Sequence, residues 1–143
     1  MASGEVRMHH WRLLDLDYPD AASNVALEEA LARRIGSGES PPTFRLWRNR
    51  RAAVIGENQS AGIELHLDIC RELGVEVVRR FTGGGAVYHD LGNLNYSVCV
   101  PRSSQSSLGL QQEVFRRATE CVVTCLKMLD LGSVRVPVNT VMI

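Results

Sequence analysis

Apolar and polar positions follow two different periods along this chain, and the switches between them mark out its elements. His10–Leu16 (HWRLLDL) has the apolar-rich, short form of a strand, and YPDAASN behind it is turn-like. From Asn24 the period lengthens. In NVALEEALARRIG, Leu27, Ala30, Leu31 and Ile35 form a stripe at helical spacing, with Asn24 as the expected N-cap. Glu28 and Glu29 stand toward the start of that helix and Arg33 and Arg34 toward its end, the order a helix dipole favours. GSGESPP breaks the pattern as a surface loop.

Thr43–Asn49 and Ala52–Asn58 are two β segments whose short link, Arg50-Arg51, predicts a hairpin. Ile63–Gly74 reads as a helix closed by Gly74, and VEVVRR as a further strand. AVYHD and LNYSVCV predict two more strands, joined as a second hairpin through Leu-Gly-Asn. After the polar loop SSQSSLGL comes the longest amphipathic helix. Val114, Ala118, Cys121, Val122, Cys125, Leu126 and Leu129 share one face of it, and Gly132 ends it. VRVPVNTVMI opens a last β segment. Strands mixed with helices predict an α+β fold, a mostly antiparallel sheet with helices packed on it. No repeat, low-complexity tract or linker divides it, so residues 1–143 read as one domain. The chain stops inside an apolar β run. That predicts a truncated or split domain, with a natural C-terminal edge strand as the other reading.

Composition narrows the function classes. Sixteen Lys plus Arg balance sixteen Asp plus Glu among 143 residues. A chain whose task is to coat nucleic acid or an acidic membrane carries a basic excess, so neither partner is expected. A local basic site for one small anion stays compatible. No apolar run is long enough to span a bilayer, and MASGEVRMHH lacks the apolar stretch of a secretory signal, which makes a cytoplasmic location the expectation. Cys70, Cys99, Cys121 and Cys125 show no CxxC spacing. Cys121 and Cys125, four apart on a helix, share a face that could hold a metal, but burial in the core is the expected role, and no metal site is assigned.

The candidate chemistry lies in RRFTGGGAVYHD, Arg79 to Asp90. Turn geometry accounts for one or two glycines. Three in a row, directly after a strand, also permit close backbone approach to a ligand, because successive amides can form a concave anion cradle. The run is neither GxxxxGK[ST] nor GxGxxG, so neither common nucleotide loop applies. Arg79 and Arg80 point to opposite faces of a regular strand. One can stand over an anion while the other faces solvent or pairs with an acid. His89 has two readings, a general base or a hydrogen-bonded structural residue.

Arg79–Ser97 (RRFTGGGAVYHDLGNLNYS) resembles the signature of the lipoate-protein ligase A family. NVALEEAL, FRLWRNRRAAVIGENQ and ELGVEVVRR extend the resemblance over about Trp11 to Asn139. It implies the α+β fold shared with biotin-protein ligases and places the chain as the N-terminal portion of the catalytic domain. It implies activation of lipoate by ATP with Mg²⁺, through lipoyl-AMP and pyrophosphate, then transfer to a lysine of a carrier. The carriers would be lipoyl domains of 2-oxoacid dehydrogenase complexes or the glycine cleavage H protein. The nucleotide side would be bound by Arg80, Gly85, Ala86, Val87 and Tyr88, with Gly83 and Gly84 shaping the loop. His89, Asn93 and Asn95 would stand near the site. Trp47, Val54 and Ile55 could line an apolar acyl slot, core packing being the other reading for Val54 and Ile55.

The family's catalytic lysine follows an Asn-Asp-Ile-type segment. PVNTVMI is similar to that segment, with Asn139 in place and Thr140 where aspartate is usual. Lys127, the sole lysine, aligns with nothing catalytic, so the expected lysine lies beyond Ile143 and the catalytic residue is unassigned. Weak or absent ligase activity is therefore expected of the isolated chain, with a complementing C-terminal chain as a possible partner. Octanoyl or lipoyl transfer on the same fold, and a non-catalytic acyl- or adenylate-binding module, remain alternatives.

Overall fold

The structure is a computed structural model that describes residues 10–101, 108–132, 134–136 and 140–142. It divides into two compact units, Met1–Pro101 and Arg102–Ile143. The first contains β1 (Arg12–Asp15), α1 (Ala21–Gly36), β2 (Thr43–Trp47), β3 (Ala52–Ile55), α2 (Ala61–Glu64), α3 (Leu67–Glu72), β4 (Glu76–Arg79), β5 (Val87–His89) and β6 (Asn95–Cys99). The second contains α4 (Leu108–Met128) and an antiparallel pair, β7 (Val134–Val136) with β8 (Thr140–Met142). Strands and helices alternate much as the sequence predicts, and the α+β class stands.

Strand pairing differs from the expected hairpins. β2 lies between β1, to which it is parallel, and β6, to which it is antiparallel. β3 lies between parallel β4 and antiparallel β5. Neither β2–β3 nor β5–β6 is a hairpin, because each link carries the chain from one three-stranded sheet to the other. The β2–β3 link is held by side chains instead of folding back. Asp17 Oδ1 accepts from the Arg48 amide at 2.7 Å, and Asn49 is buried against α1. In the β5–β6 link, Asn93 Oδ1 accepts from the Asp90 amide and Asp90 Oδ1 from the Gly92 amide, at 3.0 and 2.8 Å. Short polar side chains that bond nearby backbone replace a two-residue hairpin turn here.

α1 also starts earlier than its pattern suggests. Asp20 is the N-cap and accepts from the Ser23 amide at 2.7 Å. The Glu76 carboxylate of β4 takes the amides of Ala21 and Ala22 at 2.8 and 3.0 Å. Asn24, the expected cap, is fully buried inside the helix, and no acidic residue lies in the first turn. The buried face runs Ala21, Asn24, Val25, Leu31, Ile35, while Ala30 is exposed. Ala21 and Val25 join Trp47, Ala52, Val54 and Val78 in the core.

The Ile63–Gly74 segment is two short helices, α2 and α3, rather than one. Leu65 is extended between them, and Gly74, at φ +64°, ends α3 in the left-handed conformation glycine tolerates. Cys121 and Cys125 are exposed and Cys70 and Cys99 half-buried, so the expected core role of the cysteines is not met. Among the described residues no group of three or more His, Cys, Asp and Glu is placed to hold a metal, and no helix is long and apolar enough to cross a membrane.

Candidate functional site

β4 ends at Arg79, and the glycine run follows as an exposed loop. Arg79 is exposed, as one of the pair was expected to be, but its guanidinium is engaged with backbone, and neither arginine pairs with an acid among the described residues. Arg79 Nη1 donates to the carbonyls of Gly56, Glu57 and Gln59 at 3.0, 3.0 and 2.6 Å, fixing the turn after β3. Arg80 turns the other way, as strand alternation requires. Its Nη2 donates to the carbonyls of Gly83 and Gly85, both at 2.8 Å, its Nε to Gly83 at 3.2 Å, and its Nη1 to Val54 at 3.2 Å. One guanidinium thus ties the loop to the end of β3, through the planar fork of donors that distinguishes arginine.

The clamp leaves the loop polarised. With its carbonyls turned to Arg80, none of the amides of Gly83, Gly84 and Gly85 donates to a protein acceptor among the described residues. Exposed, successive, unengaged N–H groups are the backbone requirement of an anion cradle. Two glycines are needed for steric reasons. Gly84 has φ +97°, and a Cβ on Gly56 would lie 2.2 Å from the Gly84 carbonyl oxygen. The Glu57 amide donates to Thr82 O at 2.9 Å, so the two loops are bonded as well as packed. Gly56 is a site residue the glycine run alone did not reveal, although the Val-Ile-Gly pattern contains it.

Ala86 follows the loop, and Val87 and Tyr88 begin β5 with both side chains about half exposed, at 49% and 50%. Ala86, Val87 and Tyr88 line an apolar cleft of about 300 Å³ with Ala53, Leu65, Ile69, Cys70, Leu73 and Val75. The apolar cleft therefore opens between β5 and the α2–α3 segment. Val54 and Ile55, suggested as acyl-slot residues, are core residues at 3% and 2% exposure.

A second cluster forms where the two sheets meet. Trp47 ends β2 opposite Asn95, and His89 ends β5 opposite Ala52. The His89 ring meets Trp47 edge-on at 5.9 Å between centroids, and Asn95 Nδ2 donates to Trp47 O at 3.3 Å. Trp47 is buried and its Nε1 has no hydrogen-bond partner among the described residues. Asn49 Nδ2 lies 3.1 Å from His89 Nδ1. Burial, and secondarily the charge of Arg80, lower the His89 pKa below its ordinary value and favour the neutral ring. Asn93 does not join this cluster, since its side chain closes the turn at Asp90.

Behind Trp47 stands a buried ion pair. Arg45, with 0% of its side chain exposed, bonds Glu28 Oε1 at 2.6 Å and lies 4.9 Å from the Trp47 ring centre. Ser97 donates to the other Glu28 oxygen. The helical and strand periods mark Glu28 and Arg45 only as polar positions, and no local signal identifies them as partners.

This α+β framework is shared with solved protein-ligase structures. The chain belongs to the lipoyl protein ligase A/B catalytic domain family, whose model matches residues 20–143. It is 39% identical over 136 residues to lipoate-protein ligase A subunit 1 of Thermoplasma acidophilum, covering 90% of this chain and 50% of that protein. Among solved structures it resembles a lipoate-protein ligase A bound with ATP, with a TM-score of 0.80 and 38% identity over 93% of this chain and 56% of that one. It also resembles the bipartite lipoate protein ligase of T. acidophilum, described with its E2 lipoyl domain, with a TM-score of 0.76 and 36% identity over 92% and 50%. The chain thus spans about half the length of these relatives.

Proposed function

We propose that this chain supplies the nucleotide- and acyl-holding part of a lipoate-protein ligase, which activates lipoate with ATP and attaches it to a lysine of a lipoyl carrier domain. The observation that carries this reading is the Arg80 clamp, which leaves three consecutive glycine amides free at an exposed surface. When a carboxylate attacks the α-phosphorus of ATP, negative charge gathers on the phosphate oxygens, and fixed donors aimed there lower the barrier. Arg80 acts by holding the loop carbonyls, and the amides of Gly83, Gly84 and Gly85 would meet the phosphate. Ala86, Val87 and Tyr88 would flank the nucleoside, and the apolar cleft beside them suits an uncharged part of the ligand. Mg²⁺ would ride on the phosphate oxygens of the nucleotide and neutralise part of their charge, which fits a loop that offers amides rather than carboxylates.

The ATP-bound relative and the bipartite ligase with its E2 lipoyl domain support ATP as co-substrate and a lipoyl domain as acceptor. An acceptor in the glycine cleavage H protein, a cytoplasmic setting and a complementing chain complete the proposal. The test is a calorimetric titration with a non-hydrolysable lipoyl-adenylate analogue. We expect binding to the 143-residue chain and a loss of at least tenfold, about 1.4 kcal/mol, in Arg80→Ala. Unchanged affinity in a folded Arg80→Ala protein would sink the cradle reading. Lipoate-dependent pyrophosphate release separates ligation from ATP-independent acyl transfer.

A further inference from the structure

His89 could act as a general base or as a fixed hydrogen-bonding group, and the choice turns on which ring nitrogen carries the proton. A chain of buried and part-buried hydrogen bonds answers that. It begins at groups that can only donate. Arg45 Nη2 and the Tyr18 amide both lie 2.9 Å from one side-chain atom of Asn24, which must therefore be Oδ1. The other terminal atom of Asn24 is then Nδ2, and it faces the carbonyls of Tyr18, Asp20 and Arg48, which can only accept. The same Nδ2 lies 3.0 Å from Asn49, so the Asn49 atom toward it is Oδ1. That leaves Asn49 Nδ2 facing His89 Nδ1 at 3.1 Å. An amide nitrogen only donates, so Nδ1 accepts and the neutral ring carries its proton on Nε2.

We propose that Asn49 is a positioning residue that locks His89 as the neutral Nε2–H tautomer, so that the ring gives the site a hydrogen-bond donor and has no free lone pair to act as a base. Both amides are pinned. Asn24 is 0% and Asn49 1% exposed, and the Arg45 end of the chain is itself anchored by Glu28. The logic is that of an oriented catalytic histidine, whose tautomer is set by the partner of its other nitrogen. Here the partner is an amide donor where a carboxylate would select the opposite tautomer. Partial burial of the ring, and secondarily the Arg80 charge, favour its uncharged form in support of this. That the Nε2–H meets an oxygen of the acyl substrate rests on the ligase reading, but the tautomer itself does not.

The test is ¹H–¹⁵N correlation of the imidazole rings at pH 7.5, with the His89 signals assigned by their loss in His89→Gln. The wild-type protein should show the limiting pattern of a single Nε2–H tautomer. A Nδ1–H pattern, or shifts averaged between the two, overturns the proposal. Asn49→Asp, nearly isosteric, keeps an acceptor for Asn24 and puts a carboxylate oxygen at Nδ1. It should move the proton to Nδ1 or leave the ring cationic. If that variant does not fold, Asn49→Ala should give averaged shifts instead. An unchanged His89 pattern in either folded variant overturns the role of Asn49. Failure to bind adenylate with the tautomer intact would count against the ligase reading alone.

Discussion

Gly56 has no room for a side chain. A Cβ there would sit 2.2 Å from a backbone oxygen of the glycine run, far inside van der Waals contact, and backbone cannot swing away as a side-chain end can. Gly56→Ala is expected to lose about 2 kcal/mol or more of stability, measured by urea denaturation, because the two loops must separate. It should also weaken adenylate binding, and a normal midpoint with normal binding would mean that the loops part freely. Arg45 and Glu28 present the opposite case, a pair that tolerates joint removal better than single removal. Glu28→Leu leaves the fully buried guanidinium without its counter-charge and is expected to cost about 3–5 kcal/mol. Adding Arg45→Met should restore much of that loss, since a buried pair replaced by apolar groups is often near neutral. A double variant no more stable than Glu28→Leu would show that the remaining bonds of Arg45, to Asn24 and Leu16, carry the stabilisation.

At the scale of elements, α1 shows how a distant strand can start a helix. Its first two amides are taken by Glu76, 55 and 54 residues away, and Ser23 by the local Asp20 cap. Glu76→Ala should cost about 1–2 kcal/mol by removing two acceptors from the helix N-terminus, read from the thermal midpoint. Asp20 contributes with a pH signature. Its bonds to the Ser23 amide and side chain lower its pKa below the ordinary value. A group whose pKa is depressed in the fold stabilises above its unfolded pKa, and that stabilisation is lost as pH falls through the folded value. Asp20→Asn should therefore flatten the part of the stability profile below about pH 4 and leave its shape at pH 6–8 unchanged. A parallel acid limb in both proteins would refute this. The helix was legible because its period is local. Its start was not, because Asn24 has the residue type of an N-cap just before the apolar stripe, while the Glu76 contact that holds the first two amides depends on a strand that sequence spacing cannot place. The two expected hairpins failed for the same reason. Arg50-Arg51 and Gly92-Asn93 sit where hairpin turns would, yet pairing is decided by the other edges of β2 and β3, which β1, β6, β4 and β5 occupy.

For the molecule as a whole, the candidate site was legible as a list of residues but not as an arrangement. The glycine run and its arginines stand out because three ordered glycines in a row need a reason. The Asn24–Asn49–His89 relay did not stand out, since its members are 25 and 40 residues apart and each alone is an ordinary polar residue. All of these parts lie within Met1–Pro101. So do both three-stranded sheets, α1 and the core cluster of Ala21, Val25, Trp47, Ala52, Val54 and Val78. A unit of that size with its own core is large enough to fold without help. The fragment 1–101 is therefore expected to unfold in one cooperative transition and to bind the adenylate analogue within about threefold of the full chain, a difference below roughly 0.7 kcal/mol. Near-UV circular dichroism during a thermal melt checks the first and titration the second. A fragment that binds more than tenfold worse while melting cooperatively would show that Arg102–Ile143 contributes directly to the ligand. A fragment without a cooperative melt would show that the core, rather than the site, depends on it.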